Sequence, residues 1–351
     1  MNRFLVTLTL SCLAISCLIY WADPRGHYHR PNPLNSLHLL RENEVWTWPS
    51  SNIDEREAKH RYLDLIPPPN TVLFGSSRAM VIGQRAFNSK QSFFNMAVTG
   101  AVLADYEAFW QHLTSRNPLP ETIVIFLDPM IFNDATPSPY NHLGFDIPFR
   151  QRLAPRWAQP FVGLHVVFDA VQDFFQWQNL LAAIKQLGLK IGWLKGDPSE
   201  QFKGYHADGS ITHAFWDTQS SVTLSRIVTL SVILHGKLNG LEKPYDPEAV
   251  RLFSEFLQEL TAHRISVYVI LPPYQPYGYR MLQSIPEYRD SLEEFVHLYQ
   301  NFRNSSPDIH FCDARNAEDM GCSEGEFADL FHFNAACASK VVKHCVDPLR
   351  D

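Results

Sequence analysis

Short apolar runs that stop at turn residues alternate with amphipathic stretches along much of this chain. Thr71-Val72-Leu73-Phe74 follows Pro67-Pro68-Pro69 and is broken by Gly75. An apolar run of that length between breakers predicts a buried strand entering a tight turn. Residues 92–96, 122–127, 267–271 and 309–312 read the same way, with Asp128-Pro129 and Pro272-Pro273 ending the third and fourth strands. Residues 101–114, 246–263, 287–302 and 334–345 predict helices between and after them. The stretch 246–263 is the clearest. Asp246 suits an N-cap, Pro247 the first helical position and Glu248 the first turn. Its Val250, Phe253, Phe256, Leu257 and Leu260 fall on one face. Strands alternating with helices predict an α/β fold, a three-layer α/β/α arrangement around a central parallel sheet.

Three stretches break this rhythm. Residues 4–22 carry no charge and are mostly apolar. At about 1.5 Å per residue they reach roughly across a bilayer core. Arg3 precedes them and no acid does, which favours a cytoplasmic N-terminus and an extracytoplasmic remainder. Residues 1–22 therefore read as an uncleaved anchor. A signal peptide is the competing reading, but small residues at the cleavage spacing are missing near Ile19-Tyr20-Trp21-Ala22. Residues 23–69 read as a polar approach segment. Within the domain at 70–351, residues 134–245 read as a largely helical insertion, either a lid or substrate platform or an added packing layer.

Composition narrows the classes. With 45% hydrophobic residues the chain supports a sizeable core, and a net charge of −7 gives no basic footprint for nucleic acid. Cys312, Cys322, Cys337 and Cys345 crowd the last forty residues in spacings that match no zinc site. In an exported domain they read as a disulfide framework. On a continuous helix Cys337 and Cys345 lie about 12 Å apart along the axis, too far to bridge. Two schemes then remain, each tying the helix to the preceding loop.

The candidate chemistry lies at two distant places. Ser77 follows the first strand, at the sheet edge where open α/β sheets bind ligands. Asp329-Leu330-Phe331-His332 precedes the last helix. An acid and a histidine three residues apart can supply a serine nucleophile with its base and orienting carboxylate. Each element alone is ordinary: Gly-Ser-Ser is a common turn, and an acid at a helix start is a common cap. Gly75-Ser76-Ser77-Arg78-Ala79 also lacks the last glycine of the α/β-hydrolase elbow. Only the conjunction is informative. Arg78 suits an anionic substrate group or an ion pair with Asp128. Tyr274, Tyr277 and Tyr279 suit sugar stacking or loop packing. Trp46 and Trp48 suit a membrane surface or the domain surface. His27 and His29 lack further metal ligands.

In order and spacing these residues resemble the SGNH (GDSL-like) hydrolases. Gly75-Ser76-Ser77 resembles their first block, with serine for the usual aspartate, and gives Ser77 the nucleophile position. Asn95-Met96-Ala97-Val98-Thr99-Gly100 resembles the second, with Ala97 for the first glycine. The resemblance implies that Asn95 and Gly100 belong to the oxyanion and substrate site, with the Gly100 N–H facing the oxyanion. Asp329 and His332 match the fifth block. The third block departs: Asp128-Pro129-Met130 stands where an asparagine donor is expected, and Asn133 is the nearby substitute. The Gly-Ser-Ser variant behind an anchor, with Asp23-Pro24 shortly after it, is similar to a cell-envelope branch that includes the D-alanyl transfer protein of teichoic acids and alginate acetyltransferases. That branch implies a Ser-His-Asp esterase or O-acyltransferase without cofactor or metal. Its implied partners are an acylated or acyl-accepting glycan, the membrane and a membrane-bound acyl-donor protein. The altered third block favours the alternative, a non-catalytic glycan-binding or scaffolding subunit.

Overall fold

The computed structural model describes residues 7, 11, 14–18, 20, 46–47, 55–87, 92–132, 159–161, 184, 203–213, 221–238, 245–305 and 308–346. In chain order the elements are β1 (Trp46–Thr47), α1 (Glu55–Leu63), β2 (Thr71–Phe74), β3 (Phe93–Asn95), α2 (Leu103–Thr114), β4 (Thr122–Phe126), β5 (Lys203–Tyr205) and β6 (Ile211–His213). They continue as α3 (Ser221–Leu238), α4 (Pro247–Ala262), β7 (Ser266–Leu271), α5 (Pro276–Ser284), α6 (Pro286–Ser305), β8 (Ile309–Asp313) and α7 (Ala335–Val346). Most of the residues expected to form an anchor lie outside the described ones. Among the described residues no helix is long and apolar enough to cross a membrane.

Five strands form a parallel sheet in the order β3-β2-β4-β7-β8. The predicted strands are all present, with ends shifted by a residue or two. Their apolar runs are continuous because each strand serves two cores. Val72, Phe74, Ile123, Ile125, Val267 and Val269 meet α2, α4 and α6 on one face. Leu73, Val124, Phe126, Tyr268 and Ile270 meet α7 on the other. The Asp246 cap is as expected: its carboxylate accepts the Glu248 N–H at 2.9 Å. The chain runs from β2 outward to β3 and then returns to β4 on the other side. Such a reversal opens a crevice at the carboxyl ends of β2 and β4, where α/β sheets bind ligands.

Two regions hold more than the sequence reading assigned to them. Residues 23–69 are not only an approach segment, because α1 carries Leu63 into the main core and buries Arg56, Lys59 and His60. Its sequence reads as polar because Arg56 and Lys59 serve backbone carbonyls, while the His60 ring stacks on Phe109. In the insertion, the described residues include a β5–β6 hairpin as well as α3. With β1 the hairpin makes a three-stranded antiparallel sheet, and α3 packs Leu224, Val228 and Val232 against α5 and Leu330.

The bridges are Cys312–Cys345, with Cα atoms 5.5 Å apart, and Cys322–Cys337, at 5.2 Å. This is one of the two schemes left open by the helix. The second bridge closes a short loop, with a sequence separation of 15, around residues 329–332. Closing a loop of that size restricts the unfolded chain by about 3 kcal/mol. The double variant Cys322→Ala/Cys337→Ala should therefore lose about 3 kcal/mol in urea unfolding. An unchanged midpoint would show that the bridge contributes nothing to stability.

Candidate active site

The sheet crevice brings the two distant sequence features together. Gly75 lets the chain turn tightly after β2, since a Cβ there would lie 2.7 Å from the Ala79 Cβ and 3.2 Å from that of Phe126. Ser77 then opens a short 3-10 turn, Ser77–Ala79, whose N-cap is Ser76. From the other end of the chain, His332 approaches so that its Nε2 lies 2.8 Å from the Ser77 Oγ. The His332 Nδ1 lies 2.7 Å from the Asp329 Oδ2. Three residues separated by some 250 positions thus form one hydrogen-bonded chain.

The loop carrying Asp329 and His332 is held at every step. The Asp329 Oδ1 accepts the N–H groups of Phe331 at 2.7 Å and His332 at 2.8 Å. The Gln275 N–H donates to the Leu330 carbonyl at 3.0 Å, and the Ala328 N–H to the His332 carbonyl at 2.8 Å. Leu330 and Phe333 are fully buried in different clusters. Asn334 caps α7 by accepting the N–H groups of Ala336 and Cys337. Burial disfavours the Asp329 carboxylate, but hydrogen bonds from the His332 ring and from the His332 and Phe331 amides outweigh it. The carboxyl is held below its ordinary range and is ionised at neutral pH.

The remaining candidates divide. Arg78 is 4% exposed and pairs with Asp128 at 2.7 Å. It also donates to the Pro272 and Pro273 carbonyls at 3.0 and 2.6 Å and lies over the Tyr274 ring. It therefore takes the ion-pair role, not the substrate-binding one. Asn95 is fully buried. Its amide donates to the Ala79 and Ile82 carbonyls at 2.8 Å and accepts the Ala97 N–H at 2.8 Å. It ties the turn after Ser77 to the second-block loop and does not line the crevice. Tyr274 is buried and stacks on Tyr279 at 5.9 Å, which is loop packing, while Tyr277 is exposed at the start of α5. Asn133, Trp48, His27 and His29 lie outside the described residues.

Gly100 has a left-handed φ of 57°. Among the described residues the Ser77 and Gly100 N–H groups donate to no acceptor, which leaves both available to a ligand. Asp128 stands at the third-block position but accepts hydrogen bonds from Ser76 and Arg78. Both Asp128 oxygens act as acceptors in these contacts and supply no donor in place of the asparagine that the SGNH resemblance would require.

Sequence reasoning missed the support for the second-block loop. Lys59 Nζ donates to the Asn95 and Ala97 carbonyls at 2.8 and 2.6 Å. Burial lowers its pKa to about 7, against the raising influence of Glu55 and Asp208. Between pH about 7 and the ordinary lysine value of about 10.4, the unfolded chain then holds a proton that the folded chain does not. The Lys59 contribution to stability should rise with pH across that window. Urea titrations at several pH values, comparing wild type with Lys59→Met, would refute this by giving a constant difference.

Compared with known proteins, the chain matches no protein-family model and no curated protein.

Proposed function

We propose that this protein is a serine-dependent O-acyl ester hydrolase or O-acyltransferase of SGNH type. In this reading it acts on an envelope glycan or a related acyl ester, on the extracytoplasmic side of a membrane that its N-terminal segment anchors it to. The observation carrying the reading is the chain Ser77 Oγ–His332 Nε2–Asp329 Oδ2, at 2.8 and 2.7 Å, at the crevice of a parallel sheet. Two disulfides accord with an oxidising compartment.

In the first step the Ser77 Oγ attacks the ester carbonyl carbon, and its proton passes to the His332 Nε2. The Ser77 and Gly100 N–H groups stabilise the oxyanion. The tetrahedral species collapses, the C–O bond to the leaving alcohol breaks, and that alcohol takes the proton from His332. Water or a glycan hydroxyl then attacks the acyl-serine, giving its proton to His332; the bond from the acyl carbon to the Ser77 Oγ breaks, and His332 returns the proton to that oxygen. Asp329 keeps the ring oriented and stabilises the imidazolium. Hydrolase and transferase differ only in the second acceptor.

A second reading is a glycan-binding scaffold, which the occupied Asp128 carboxylate favours because it leaves the oxyanion hole without its third donor. Losing one such donor typically costs about 100- to 1000-fold in rate. A fluorophosphonate probe separates the readings. Stoichiometric labelling at Ser77 supports the enzyme, and absence of labelling overturns it in favour of the scaffold.

A further inference from the structure

The helix α1 precedes the sheet domain, yet its polar residues converge on the loop that ends at Gly100. Arg56 is 5% exposed. Its Nε and Nη2 grip the Asp105 carboxylate at 2.8 and 2.9 Å. The same Nη2 donates to the Thr99 carbonyl at 3.0 Å and lies 3.3 Å from the Gly100 carbonyl. Glu55 accepts the Thr99 N–H at 2.9 Å, and Asp105 also accepts the Val102 N–H at 3.0 Å. The peptides on either side of the Gly100 nitrogen are therefore clamped from α1 and from the first turn of α2.

The Thr99 carbonyl and the Gly100 N–H belong to one planar trans peptide, in which oxygen and hydrogen point in opposite directions. A donor that fixes the carbonyl therefore aims the N–H. A cationic donor also draws electron density through the amide and strengthens the N–H as a donor on the far side. We infer that Arg56 is a positioning residue for the oxyanion, orienting and polarising the Gly100 N–H through the Thr99–Gly100 peptide. This rests on the hydrolytic reading above, and it makes the segment before the sheet domain part of the site. Asp105 holds the guanidinium while its two terminal contacts reach the loop. A lysine ammonium keeps the charge but lacks the planar fork needed to span carboxylate and carbonyl.

The test compares wild type with Arg56→Lys, using active-site titration by a fluorophosphonate, ester kinetics and inhibition by an alkyl boronic acid. The boronate forms a tetrahedral anion on serine and so reports the oxyanion site. Small misplacements of catalytic groups cost up to about 100-fold. The expected result is a fall of about tenfold or more in kcat per titrated Ser77, with KM little changed and boronate affinity falling in parallel. Fewer titratable sites with unchanged turnover per site would mean that Arg56 only holds the fold, and would overturn the inference. Equal kinetics and equal boronate affinity would overturn it as well, leaving the hydrolytic reading intact. Wild-type protein that neither turns over ester nor takes the label would overturn both.

Discussion

Ser77→Ala should lose turnover of a small acetyl ester by at least about 10,000-fold while unfolding at the wild-type midpoint. The two halves of this expectation have separate causes. The hydroxyl is the one that faces the His332 base, and removing a triad nucleophile elsewhere costs on the order of 10⁶ in kcat. What survives comes from binding and oxyanion contacts. In the proposed mechanism the oxyanion donor at this position is the backbone N–H, which alanine keeps. Stability should hold because Ser77 is only half-buried and its side chain bonds only to His332 among the described residues. The cap of the turn is Ser76, whose Oγ accepts the Arg78 N–H and donates to Asp128, so the local backbone does not depend on Ser77. Substitutions of this kind usually shift stability by about 0.5 kcal/mol or less. Undiminished turnover in the variant would sink the mechanism.

Much of the framework was legible because the sheet writes its demands into the chain. Strands that serve two cores must be apolar on both faces, and the five short runs show it. Asp246-Pro247-Glu248 marks a helix start by local chemistry alone, and the helix spacing of Cys337 and Cys345 excluded a pairing. Ser77, Asp329 and His332 were legible only jointly, since each has an ordinary alternative. The role of α1 was not legible. Arg56 and Lys59 bind backbone carbonyls, and a carbonyl acceptor has no residue type to mark it. The same holds for Asn95, whose partners are the carbonyls of Ala79 and Ile82. Asp128 was legible in part, since the sequence offered its ion pair with Arg78. The Ser76 hydroxyl on its second oxygen was not legible, because only the fold brings the two together.

Asp329→Asn is expected to lower kcat by about 10,000-fold although it keeps the shape of the side chain. The reason lies in how its two oxygens are used. Oδ1 accepts the Phe331 and His332 N–H groups, and Oδ2 faces the His332 Nδ1 at 2.7 Å. An asparagine has one carbonyl oxygen for these two duties. Two backbone donors claim it, which turns the NH₂ toward Nδ1. That nitrogen must then accept, so the ring proton moves to Nε2, where it points at the Ser77 Oγ and removes the base. The opposite flip would leave two backbone N–H groups facing an amide NH₂, which costs loop stability instead. A second readout distinguishes the loss of an ionised carboxylate from a general loosening. Because the Asp329 pKa lies below its ordinary value, its ionisation contributes stability that is complete above the unfolded value of about 3.9. That contribution disappears as pH falls through the folded value. The stability difference between wild type and Asp329→Asn should thus be level near neutrality and shrink in acid, as followed by urea unfolding from pH 7 downward. A difference that stays level in acid, or turnover within tenfold of wild type, would show that Asp329 does not orient His332 as an ionised partner.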